Sequence, residues 1–433
     1  MMIEIVIDPK RDEWPRLIRR AQQGDETIAA RVKQIVERVR MEGDDALRAL
    51  TAEIDGVSLT DMEVTPAEID QVAGQIDKNL KSAISVAAKN IERFHRAQYP
   101  ADVAVETMPG VRCWQRAVPI RRVGLYVPGG SAPLFSTVLM LAIPARVAGC
   151  SEVVLCTPCN KEGRVAPEIL YTARLCGVER IFKIGGAQAI AAMACGTDTV
   201  PAVDKIFGPG NRYVTYAKQL LSMDTVAIDM PAGPSEVMVL ADERARPEFV
   251  AADLLSQAEH GIDSQTILVC TSLDFAKKVI QAMEDQLNML PRATTARGAL
   301  HNSRIVVMGA PEDMTAFAND YAAEHLIIAM SNPWEISKQI TTAASLFIGD
   351  FTPESAGDYA SGTNHTLPTA GWARAYSGVN LDSFMRKVTY QEITPQGLRH
   401  IGATITAMAE AEGLDAHANA VKIRLAALEK QII

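Results

Sequence analysis

RVGLYVPGG (122–130) reads as a short apolar strand that breaks into a proline and two glycines, and segments of the same kind follow it. They are SEVVLCTP (151–158), VERIFKIGG (178–186), VDKIFGPGN (203–211) and VAIDMPAGPSEV (226–237), with helix-like stretches between them at roughly 136–149, 166–176, 187–196 and 211–222. Near-continuous apolar strands that alternate with helices imply a parallel sheet covered on both faces. The turns PGG, IGGAQ, GPGN and PAGPSE come just before helix starts. There, unpaired backbone N–H groups and the helix dipole favour phosphate. The repetition at one sheet edge suits a dinucleotide, because ligands sit outside the carboxyl ends of parallel strands. The G-x-G-x-x-G fingerprint is absent, which leaves the place of the pyrophosphate open.

Working outward, a second α/β region follows. Its strands are VMVLAD (237–242), QTILVCTS (265–272), RIVVMG (304–309), LIIAM (326–330) and SLFIGD (345–350), with helices expected at 247–260 and near 274–289. Residues 1–50 read as a short apolar strand and then charged amphipathic helices. Residues 66–98 continue at helical spacing, and the pattern turns helical again from about 376. The expected fold is α/β: two Rossmann-like doubly wound parallel-sheet domains with helical N- and C-terminal extensions. The expected boundaries are an N-terminal extension at 1–24, a first α/β domain at 25–122 plus 235–375, a second, NAD-binding, at 123–234, and a C-terminal helical extension at 376–433.

Composition agrees with this division. A chain of 433 residues exceeds the size at which one core usually stops growing, and 48% hydrophobic residues are ample for two or three. A net charge of −9 with scattered Lys and Arg argues against a nucleic-acid partner. No apolar stretch reaches the roughly 18 residues of a membrane span. The start, MMIEIVIDPKRDEW, lacks the basic-then-apolar form of a secretory signal. Seven cysteines without framework spacing fit a reducing compartment, so a cytoplasmic location is expected. Cys156 and Cys159 form a lone C-x-x-C, but no second pair follows to close a zinc site.

Four polar islands interrupt the apolar pattern: SQAEHG (256–261), YAAEHL (321–326), ESAGDYASGTNHTLPT (354–369) and AEGLDAHANAV (411–421). In the first, Gln257 and His260 lie three apart, so on a helix both would point off one face. Together the islands offer Gln, His, Asp and Glu groups to a hard or borderline divalent ion such as zinc, with acid–base groups left over. Each residue also has a plainer explanation. A single histidine at a helix end is more often a surface residue than a ligand, and Asp358 in a Gly- and Ser-rich stretch reads, by itself, as a turn former.

The strings GLYVPGGSAPLFSTVLMLAIPA, IGGAQAIAA, KIFGPGN, DMPAGPSEV, DLLSQAEHG, EHL, ESAGDYASGTNH and LDAHANAV resemble those of the histidinol dehydrogenase family, in the family's order, from about residue 25 to 430. NKEGRV (160–165) and the CTPC turn look less typical, and neither touches the chemistry. The resemblance implies zinc-dependent, NAD-dependent, four-electron oxidation of L-histidinol to L-histidine through L-histidinal. It implies one zinc per subunit on Gln257, His260, Asp358 and His417, and an acid–base pair in Glu324 and His325. It also implies substrate contacts from Ser235, Glu412, the acid–base pair and the zinc ligands, and NAD contacts from Tyr126, Gln188 and Asn211. His365 matches a family histidine near the substrate. The family further implies an intertwined homodimer in which each tail completes its partner's site.

The chemistry of the residues is consistent with those roles. Loss of the hydroxyl proton as hydride leaves calls for a base near neutrality, which suits His325. Hydration of the aldehyde calls for a second proton acceptor, which suits Glu324. Three rivals remain. A zinc hydrolase would leave the glycine-turn sheet idle, and no H-E-x-x-H is present. A same-fold dehydrogenase of another amino or sulfonated alcohol sits poorly with Glu412, an acid that would repel a sulfonate. A non-catalytic metal-binding protein would have no use for Glu324 and His325.

Overall fold

The computed structural model describes residues 3–20, 26–72, 74–129 and 133–430; Gly130 of the first glycine turn and the expected boundary at 24 and 25 lie outside the described residues. Contacts divide the chain into two compact units, Met1–Gln98 with Ile120–Phe384 and Tyr99–Pro119 with Met385–Ile433.

The first unit is built on two parallel sheets. One has the order Arg180–Phe182, Glu152–Cys156, Arg122–Tyr126, Lys205–Phe207, Ala227–Ile228. The other has the order Glu4–Ile7, Arg304–Val307, Gln265–Cys270, Glu236–Ala241, His325–Ala329, Ser345–Ile348. In both, the chain builds outward from a central strand, returns to that strand's other side and continues the opposite way, the order of a doubly wound fold. The expected helices form at Phe135–Ala148, Pro167–Cys176, Gly186–Cys195, Arg212–Leu221, Pro247–Ala258 and Leu273–Leu287.

The six-stranded sheet shows why its strands read as apolar runs. Val237, Val239, Leu268 and Ile327 feed the core on one face, while Met238, Leu240, Ile267 and Ile328 feed the core on the other. Successive side chains alternate faces, so a sheet covered twice has no polar side. Among the described residues no helix is long and apolar enough to cross a membrane.

The second unit corrects the expectation of a purely helical segment from 376 onward. Met385–Ile393 is a strand, antiparallel to Val111–Pro119, which pairs in turn with Val103–Met108. The helices Pro395–Ala411 and Asp415–Lys430 follow. MRKVTYQEI carries Val388 and Tyr390 at alternate positions, and Tyr390 stacks on its cross-strand partner Trp114 at 5.3 Å. The plainer reading of Asp358 as a turn former is corrected too, since it lies in the helix Glu354–Tyr359.

One turn shows how tightly the glycine edge is built. Gly208 has φ +128°, and a Cβ there would sit 2.1 Å from the Tyr126 carbonyl oxygen. The Gly208 N–H donates to Asp229 at 2.8 Å, and Lys218 Nζ donates to the Gly208 carbonyl at 2.8 Å. Lys218 and Asp229 pair at 2.5 Å with both side chains buried. Lys218→Met would leave the Asp229 carboxylate buried without its counter-charge, and should lower unfolding free energy by about 3–5 kcal/mol in urea titration. Arg96→Met, which breaks the exposed pair with Glu92, should cost no more than about 1 kcal/mol. Equal losses from the two would contradict this account.

Candidate active site

The loops after Arg122–Tyr126 and Lys205–Phe207 meet the segments that lead into Glu236–Ala241, Gln265–Cys270 and His325–Ala329 around one cavity of about 830 Å³. The site therefore lies between the carboxyl ends of the five-stranded sheet and the amino ends of the six-stranded one. Pro209, Gly210 and Asn211 line its glycine-turn side; Ser235, Gln257, His260, Glu324, His325, Asp358 and His365 line the other.

Local folding sets each of these side chains. Gln257 lies in the last turn of Pro247–Ala258, and the His260 N–H donates to the Gln257 carbonyl at 3.2 Å in the turn that follows. Glu324 immediately precedes His325, the first residue of its strand, and one Glu324 oxygen accepts the Glu236 N–H at 2.8 Å. His325 is buried among three carboxylates. Its Nδ1 lies 3.7 Å from Glu324 and 3.7 Å from Glu354, and its Nε2 lies 3.6 Å from Asp358. His365 donates from Nδ1 to the Asp358 carbonyl at 2.8 Å, since a carbonyl can only accept. Its Nε2, 3.2 Å from the Thr137 hydroxyl, is left to accept.

Behind this wall Arg20 forms a two-pronged pair with Glu236 at 2.8 and 2.9 Å and donates to the Tyr321 carbonyl. The Tyr321 hydroxyl reaches Gln265 at 2.8 Å. This network pairs Glu236 with Arg20, which offsets part of the negative charge that Glu236 brings beside Glu324.

The electrostatics are dominated by burial and by the crowding of anions. Burial raises Glu324 to about 8, with the neighbouring imidazole pulling against it, and burial likewise raises Glu354. Burial works against a charged His325, but the fields of Glu324 and Glu354 and the contact with Asp358 outweigh it and raise the imidazole.

Two observations bear on a metal. His260, Glu354 and Asp358 offer ligand atoms within 4.8 Å of one another. Gln257 is fully buried, yet neither amide atom has a hydrogen-bond partner among the described residues, and such groups are costly unless something occupies them. The donor set, one neutral amide oxygen with imidazole and carboxylate, suits a borderline divalent ion.

Of the remaining residues expected at the site, Tyr126 and Gln188 are buried behind the glycine turns and do not line the cavity. The Tyr126 hydroxyl accepts the Gly186 N–H at 3.0 Å, and Gln188 reaches Asp55 at 3.5 Å. Asn211 lines the cavity but uses its side-chain oxygen to cap Arg212–Leu221. Glu412 and His417 belong to the second unit, where both are exposed. Cys156 is buried and Cys159 half-buried, and both are free thiols. The sequence reading passed over Glu354, although it stands four residues before Asp358, one helical turn away on the same face. It also passed over Arg20, Glu236 and Thr137.

The chain matches a sequence profile described as histidinol dehydrogenase over residues 18–425. It is 54% identical over 428 residues to a histidinol dehydrogenase of Bacteroides thetaiotaomicron, covering 99% of this chain and 100% of that one. It is 53% identical over 417 residues to that of Salmonella typhimurium, covering 96% and 95%. A crystal structure of histidinol dehydrogenase from Elizabethkingia anophelis superposes with a TM-score of 0.96 at 52% identity, over 99% of each chain.

Gln257→Leu removes two unpartnered polar atoms from a buried position. Chelator-treated protein carrying it should be as stable as the parent or more so, by up to about 1–3 kcal/mol, and, if Gln257 is a metal ligand, should retain less added zinc than the parent after dialysis. Thermal melts and metal analysis read the two effects separately, and undiminished zinc retention would exclude Gln257 as a ligand.

Proposed function

The chain belongs to the histidinol dehydrogenase family, and from that membership and the geometry of its cavity we propose that it oxidises L-histidinol to L-histidine through L-histidinal, with two equivalents of NAD and one zinc per subunit. The observation that supports this most directly is the shared cavity: the Glu324–His325 pair and Gln257, His260 and Asp358 open on the same space as the glycine turns.

Gln257, His260 and Asp358 would hold zinc from this chain, with His417 supplied by a second copy. Zinc there would orient the amine and imidazole nitrogens of the substrate and offset the carboxylate field that otherwise keeps His325 protonated. The nicotinamide supplies the hydride acceptor. His325 takes the hydroxyl proton in the first oxidation. Glu324, held through one oxygen by the Glu236 amide, keeps its other oxygen to accept a proton from the water that adds to the aldehyde. The protonated His325 returns its proton to the aldehyde oxygen as the water adds, which completes the hydrate and frees the imidazole, and His325 then takes the proton of the hydrate hydroxyl as the second hydride leaves. Ser235 and, from the partner, Glu412 would contact the substrate. Asn211 would stand at the cofactor's helix N-terminus, with Tyr126 and Gln188 shaping the turn beneath it. Orientation of this kind can supply on the order of 7 kcal/mol or more.

With histidinol as sole substrate, the purified chain should form two NADH per histidinol consumed. One equivalent with aldehyde accumulating would indicate a simple alcohol dehydrogenase, and none would overturn the reading. In variants, His325→Asn should slow both oxidations, whereas Glu324→Gln should mainly slow oxidation of supplied histidinal.

The tail is proposed to act in trans within a homodimer, which the exposure of Glu412 and His417 and of Met408, Leu414 and Ile423 beside them supports. Co-refolding His325→Asn with His417→Ala should then return activity toward about one quarter of the parent, since half of randomly paired dimers carry one intact site of two. If each tail serves its own chain, every site keeps a defect and the mixture stays inactive.

A further inference from the structure

Two buried polar atoms at the site face each other without partners. Glu354 Oε1 and His325 Nδ1 have no hydrogen bond among the described residues, both side chains are almost wholly buried, and 3.7 Å separates them. The two carboxylates near Nδ1 are not equivalent. The Glu324 oxygen at 3.7 Å is the one that already accepts the Glu236 N–H. Glu354 is tied only through its other oxygen, by the Ser256 hydroxyl at 3.4 Å, so Oε1 is free to accept. The opposite edge of the ring, Nε2, faces Asp358, which lines the cavity.

We propose that Glu354 is the positioning residue of the acid–base machinery: its Oε1 accepts the Nδ1–H of His325, fixing the ring and its tautomer so that Nε2 is the nitrogen that exchanges the substrate's proton. This rests on the reading of His325 as the base. It separates the duties of the two acids, leaving Glu324 to the water and Glu354 to the imidazole. A base oriented by a third group through its far nitrogen is a recurrent arrangement, because that contact decides which nitrogen carries the lone pair. The closing movement required is less than 1 Å, as about 2.8 Å is the normal length of such a charge-assisted bond.

The rival role for Glu354 is metal ligation, since it lies with His260 and Asp358. Two measurements separate the roles, one independent of turnover. In zinc-free protein at a pH where the ring is neutral, the 15N shifts of His325, assigned by difference from His325→Asn, report the tautomer. The expected result is Nδ1–H in the parent and in Glu324→Gln, and a switch to Nε2–H, donated to Asp358, in Glu354→Leu. Retention of Nδ1–H in Glu354→Leu overturns the proposal, as does its loss in Glu324→Gln. In the zinc-loaded enzyme, Glu354→Leu should lower kcat about 100-fold in both oxidations, with KM for histidinol and zinc content near the parent's and part of the rate restored by Glu354→Asp. Zinc loss with a raised KM would mark Glu354 as a ligand instead. Should Glu354→Leu fail to fold, Glu354→Gln keeps the volume, and an unchanged kcat in that variant together with Nε2–H in the parent would equally refute the assignment. If the parent does not oxidise histidinol, the functional reading fails while the tautomer experiment still decides the role of Glu354.

Discussion

The register between Glu236–Ala241 and His325–Ala329 is the constraint on which the site depends. Val237 stands opposite His325 in this parallel pair, which brings the Glu236 amide against the Glu324 carboxylate at 2.8 Å. A slip of one residue would turn His325 to the other face of the sheet and exchange the apolar sets that pack the two cores. Those cores therefore fix the chemistry indirectly: Val237, Val239 and Ile327 on one side and Met238, Leu240 and Ile328 on the other admit only one alignment. Arg20 and Tyr321 reinforce it from behind by holding the Glu236 side chain.

Placing the reactive groups at the amino ends of these strands has an electrostatic consequence. Glu324, Glu354 and Asp358 surround one buried imidazole, and burial, with the neighbouring carboxylates, raises both glutamates. Anions crowded in this way are tolerated where positive charge offsets them. His325 supplies one such charge. The unpartnered amide of Gln257 and the clustered ligand atoms of His260 and Asp358 mark where a cation would supply another. Protonation of His325 and occupancy by a divalent ion would then be alternative ways to balance one negative field, so the proposed ion would also free the proposed base.

Much of this was legible in the sequence, for a physical reason. Strands covered on both faces must be apolar throughout, so SEVVLC and QTILVC stand out, and the glycine turns punctuate them. The polar islands stood out because cores do not otherwise carry adjacent Glu and His. What escaped was structure without such contrast. Val103–Met108 is exposed along its whole length and Met385–Ile393 along most of it, so neither belongs to a long apolar run: VAVETM breaks off at Glu106 and Thr107, and the cue in Met385–Ile393 was the alternation of Val388 and Tyr390. Glu354 was hidden by composition. Gly357 and the serines suggested a turn, and without a helix there was no reason to pair positions 354 and 358.

That omission bears on how the proposed acid–base roles are divided. Adjacency in sequence directs attention to Glu324 as the companion of His325, but the Glu324 oxygen that lies 3.7 Å from Nδ1 is the one spent on a backbone amide. Glu354 comes from a helix more distant in sequence and presents its unpaired oxygen to the nitrogen that Asp358 does not face. The groups that orient a catalytic side chain are set by where separate elements meet, and a linear motif carries no record of that meeting.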